Sequence, residues 1–117
     1  SKLPIRYMDH IPIKQTYSKK LIVFEVCSKI DPVYYSCNII SGNHTYYKNI
    51  DDDNYGVFIQ NWLKTDLIKK VYTITKSSQY IKASILKYIK LPEKVPINVD
   101  INNISKLNEY QTQYYNL

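Results

Sequence analysis

Five groups of residues in this chain have types and spacings that could do chemistry. The run Asp51-Asp52-Asp53-Asn54 offers carboxylates to a cation or to the positive end of a helix. Adjacent carboxylates cannot all face one ion, so the run reads first as a helix start. His10 and His44 could each act as a base, yet no Ser or Cys is tied to either by spacing. Cys27 and Cys37 are the only cysteines, and the two histidines do not complete a zinc-ligand pattern with them. The tyrosine pairs Tyr34-Tyr35, Tyr46-Tyr47 and Tyr114-Tyr115 offer rings for packing or stacking. On a strand, one ring of each pair must face each side of the sheet. The last group is lysine: Lys69, Lys70, Lys76, Lys82, Lys87 and Lys90 fall within one stretch.

The 117 residues are one domain by size, and 22% charged with 44% hydrophobic is a globular mix. No apolar run is long enough to span a bilayer, so a membrane partner is not expected. The net charge of +6 favours anionic partners, nucleic acid first among them. All but one of the 16 basic residues are Lys, with Arg6 the exception. Lysine meets phosphate as a point charge, whereas Arg reads guanine edges bidentately. Sequence-independent contact with a nucleic-acid backbone is therefore expected over base readout. Only two glycines, Gly42 and Gly56, exclude a glycine-rich phosphate loop and a dinucleotide fingerprint. Nearly half of the chain is Lys, Ile, Asn and Tyr, all with A/T-rich codons, so part of the lysine and tyrosine reflects genome bias. The start at Ser1 suggests an excised domain or a processed product, and an intracellular location is expected.

These groups need elements to hold them. Residues 1–19, with Pro4 and Pro12, read as an N-terminal arm, and 20–117 as a single α/β domain. Lys20–Ile30 is apolar on both faces, as in a central strand. Asp31-Pro32 turns the chain into a second strand, Val33–Ser41. A hairpin centred on Pro32 would place Cys27 opposite Cys37. Ser41-Gly42-Asn43 is a second turn and His44–Ile50 a third strand. The acidic run opens a helix with Phe58, Ile59, Trp62, Leu63 and Leu67 on one face, closed by Lys69-Lys70. Val71–Thr75 reads as a fourth strand, Ser77–Lys90 as a helix, and the alternating Val95–Ile101 as a fifth strand confined by Pro96 to an edge or a strand start. Asn103 caps a last helix carrying Ile104, Leu107, Tyr110 or Gln111, and Tyr114. The expected architecture is a mixed sheet of about five strands in the order β-β-β-α-β-α-β-α.

That order is the order of the ribonuclease H-like fold. The segment Val23-Phe24-Glu25-Val26-Cys27-Ser28 resembles the first motif of DEDD-type 3′–5′ exonucleases, a strand ending Phe-Asp-x-Glu. Val71–Ile89 with Leu91-Pro92 is similar to the next strand and helix of that family. Val99–Leu107 resembles the stretch in which an Asp opens the following helix. Thr75-Lys76-Ser77-Ser78-Gln79-Tyr80 is similar to the Thr-Asp-Ser-Gln-Tyr pattern of ribonuclease H. The matches cover roughly residues 20–110.

The resemblance implies carboxylates at strand ends that hold Mg²⁺ or Mn²⁺. Glu25 stands where the first Asp belongs, Cys27 replaces the following Glu, Lys76 or Ser77–Tyr80 occupies an acidic position, and Asp100 fits its place. Two carboxylates are too few for a two-metal site. The expectation is a non-catalytic binding module of a larger nucleic-acid-processing protein. Its basic face would be Lys69, Lys70, Lys76, Lys82, Lys87 and Lys90, and it would contact nucleic-acid backbone or a partner subunit. One alternative is a Mg²⁺-dependent nuclease using Glu25 and Asp100 with further ligands from Asp51–Asp53. Another is a protein-interaction domain working through its tyrosine-rich sheet edge or C-terminal helix.

Overall fold

The computed structural model describes residues 9–10, 16–24, 31–42, 45–75 and 89–115. Its strands are β1 (Asp9–His10), β2 (Ser18–Phe24), β3 (Val33–Ile39) and β4 (Thr45–Asn49). Its helices are α1 (Asp53–Trp62), α2 (Asp66–Thr75) and α3 (Ile104–Tyr114). The run from Lys20 to Phe24 carries no polar alternation, and it forms the centre of the sheet, whose order is β1-β4-β2-β3. Every pairing is antiparallel. Three strands of five to seven residues carry the sheet, and the two-residue β1 lies outside β4. β3 and β4 are consecutive but flank β2 on opposite sides, so the chain crosses β2 between them.

The pleat sorts β2 into two faces. Leu21 and Val23 have no exposed surface and join Tyr46 in the core beneath the helices. On the other face Ile22 pairs with Tyr47, and Lys20 with Asn49. Lys20, Ile22, Thr45 and Tyr47 are buried there as well. Burial on both sides is what a strand with apolar residues at consecutive positions requires.

Asp52 caps α1: its carboxylate accepts from the amides of Asn54 and Tyr55 at 2.9 and 3.3 Å, which satisfies amides that lack intrahelical partners. The buried face of α1 is Tyr55, Phe58, Ile59 and Trp62. Phe58 and Trp62 meet edge to face, with centroids 5.6 Å apart. Asn103 caps α3 by accepting from the Lys106 amide at 3.2 Å, and α3 buries Leu107 and Gln111 against α1. The segment between α2 and α3 is tied down at Ile89, Leu91 and Ile101, all buried. The Asn61 side-chain amide donates to the Ile101 carbonyl at 2.8 Å.

The molecule is a small α/β domain, but not the expected five-stranded, ribonuclease H-like mixed sheet. Val71–Thr75 is not a strand. It is the second half of α2, with Ile68 and Val71 turned inward and Lys69, Lys70 and Thr73 outward. Three- and four-residue spacing, fixed by packing, overrides the strand preference of the branched residues. Val95–Ile101 is also not a strand. Alternation would send Ile97 inward with Val95 and Val99, yet Ile97 is 96% exposed. Asp100 instead makes a turn, its carboxylate accepting from the Asn102 amide at 3.0 Å and its carbonyl from the Asn103 amide at 3.0 Å.

The single helix expected to run to Lys70 is two, broken at Leu63-Lys64-Thr65. The hairpin register differs too. Lys20, Leu21 and Ile22 lie opposite Tyr35, Tyr34 and Val33, with an irregularity between Ser18 and Lys20. Pairing around Pro32 does not occur, so the facing of Cys27 and Cys37 loses its basis. Cys37 is an exposed free thiol on β3, and Cys27 lies outside the described residues. So does the helix expected over 77–90, except Ile89 and Lys90, which are not helical.

Candidate functional site

The acidic run sits at the start of α1. Asp51, Asp52, Asn54, Tyr55, Glu93 and Lys94 line part of an open cleft of about 560 Å³. Its three carboxylates are not gathered around a point. Among the described residues no group of three or more His, Cys, Asp or Glu is placed to hold a metal ion. Asp52 is occupied by its cap.

Asp53 faces the sheet and accepts from Lys19 Nζ at 3.1 Å and from the Tyr34 hydroxyl at 3.0 Å. Hydrogen bonds from Lys19, Ser36 and Tyr34, in that order, hold its carboxyl below the ordinary value of 3.8. The Tyr34 hydroxyl shares its proton with the Ile50 carbonyl, 2.7 Å away. Burial, and then the Asp53 carboxylate, push the Tyr34 phenol well above its ordinary value. This cluster ties β2, β3 and the first turn of α1 together.

Tyr34 also explains a glycine inside a helix. A Cβ at Gly56 would overlap the Tyr34 ring. The ring cannot swing aside, because its hydroxyl is held at Ile50. The Tyr34 amide, on the outer edge of β3, donates to Gln60 Oε1 at 2.9 Å. A helix side chain thus closes part of an open sheet edge.

Of the two carboxylates implied by the nuclease resemblance, Asp100 alone is among the described residues. Asp100 is exposed in the turn before α3, not at a strand end, and its carboxylate serves the Asn102 amide. Glu25 follows β2 and lies outside the described residues. Asp66 is matched reciprocally by Asn108: its amide donates to Asn108 Oδ1 at 3.0 Å, and Asn108 Nδ2 donates to its carboxylate at 3.2 Å.

Of the expected basic face, Lys69 and Lys70 are exposed on α2 and Lys90 is exposed before the buried Leu91-Pro92. Lys76, Lys82 and Lys87 lie outside the described residues. Lys90 is placed beside α3 by a relay. Trp62 Nε1 donates to the Tyr115 hydroxyl at 3.2 Å, which donates to the Lys90 carbonyl at 2.7 Å. Around Trp62, Tyr110, Tyr114 and Tyr115 pack with centroids 6.1, 5.3 and 5.8 Å away. Tyr114 keeps 36% of its surface exposed. Burial raises the Tyr115 phenol, and it pushes the Tyr55 phenol, which donates to the Pro92 carbonyl, to about 12.

Sequence reasoning did not single out Lys20. It has no exposed surface, and its Nζ donates to the Thr16 carbonyl and to Ser18 Oγ, each at 2.6 Å. Ser18 Oγ in turn donates to Asn49 Oδ1 at 2.9 Å. The ammonium lies 5.6 Å from the Tyr47 ring centroid. Desolvation lowers its pKa. Its place on the apolar central strand was the one available signal.

Comparison with protein-family models, curated proteins and solved structures finds no match. No helix among the described residues is long and apolar enough to cross a membrane.

Proposed function

We propose that this chain is a non-catalytic binding module of a larger nucleic-acid-processing protein, and that it contacts the nucleic-acid backbone without reading sequence. One observation carries the reading: four aspartates do structural work, while the lysines of α2 point outward. Asp52 and Asp100 cap backbone amides, Asp53 joins the sheet to α1, and Asp66 is locked to Asn108. Lys69 and Lys70 are exposed on adjacent positions of α2, and Lys90 is exposed near α3. A chain of net charge +6 with these acids so occupied suits a polyanion bound through point charges.

The test is a titration of labelled single- and double-stranded oligonucleotides at several salt concentrations. Binding is expected to weaken steeply with salt and to depend little on sequence. The double variant Lys69→Glu, Lys70→Glu should bind more weakly and flatten the logarithmic salt slope by about one for each phosphate it no longer neutralises. Absence of binding at low salt overturns the proposal.

A second reading, a protein-interaction domain, is favoured by the 96% exposure of Ile97 and the exposed ring of Tyr114. It would be supported if a partner subunit bound tightly with little salt dependence and Ile97→Asp abolished that binding.

A further inference from the structure

We draw no further inference here: the strongest candidate, the aromatic corner that Tyr110, Tyr114 and Tyr115 build around Trp62 beside Lys90 at the end of α3, is a partly exposed apolar surface, and nothing in the structure shows what covers it.

Discussion

Gly56 and Tyr34 set a packing constraint that helix propensity alone would misjudge. Alanine in place of a helical glycine ordinarily stabilises by about 1 kcal/mol. Here the added methyl meets a ring anchored at Ile50, so Gly56→Ala should destabilise by about 1–3 kcal/mol, as overpacking does. In a Tyr34→Ala background the same change should become stabilising. Urea denaturation of the four proteins of this cycle measures both. Asp53 gives a prediction in pH. Its folded-state pKa lies below the unfolded value, so its contribution is present above about pH 3.8 and is lost as pH falls through the folded value. Asp53→Asn should therefore be less stable than the parent at neutral pH, with the gap closing in acid. A gap independent of pH would show that the carboxylate charge is not the cause. The Lys19 and Asp53 side chains are both partly open to solvent, so the effect is also weakened by salt.

At the scale of elements, the break between α1 and α2 is the structural decision the rest depends on. Thr65 is fully buried, and its hydroxyl lies 2.8 Å from the Trp62 carbonyl and 2.6 Å from Gln111 Oε1. Gln111 Nε2 donates to the same Trp62 carbonyl at 3.3 Å. The Thr65 carbonyl then accepts from the Lys69 amide, opening α2. One residue thus joins the end of α1, the start of α2 and the buried face of α3. Thr65→Val keeps the shape and removes the hydroxyl, leaving buried polar groups short of a partner. A destabilisation of about 1–3 kcal/mol is expected in denaturant melts. Thr65-Asp66 has the composition of a helix start, a capping residue followed by an acid, so the break is legible locally. It is obscured because Leu67 continues the apolar spacing of α1 across the joint. The helix starts at the acidic run and at Asn103 are legible because capping is a local property of side chain and amide. Val71–Thr75 misleads because strand preference is also local, while the choice between helix and strand there rests on packing of Ile68 and Val71 into the core.

For the whole molecule, net charge acts on stability as well as on partners. A charge of +6 on a domain with a radius of gyration of 13.7 Å places like charges close together. Self-repulsion destabilises the compact state, and salt screens it over about 8 Å at physiological strength. The thermal midpoint should therefore rise by a few degrees between low and physiological salt, as followed by circular dichroism. A midpoint that falls with salt would mean that specific ion pairs outweigh the repulsion. Sheet order also belongs to this scale. β2 sits between β4 and β3, with β1 on the far edge, and no contact within a single segment specifies that arrangement.

The lysine-rich charge, the lack of a glycine phosphate loop, the helix caps and the two-faced burial of the central strand were determined by residue types and short-range spacing alone. Each depends on neighbours within a turn of helix or a few residues of strand. Strand register, strand order, the identity of the segment after Lys70, and the roles of Lys20, Tyr34 and Gln111 were decided only by the tertiary structure. Tyr34 and Gln111 have partners far away in sequence, while Lys20, bonded to nearby Thr16 and Ser18, sits on a strand flanked on both edges by strands from later in the chain. Tyr34 acts because Gly56 and Asp53 come to it, and Gln111 because Thr65 does. Asp100 is the opposite case, because its partner lies only two residues away. Its sequence setting suits a strand-end carboxylate, but it turns the chain into α3, because the backbone amide of Asn102 is the partner within reach.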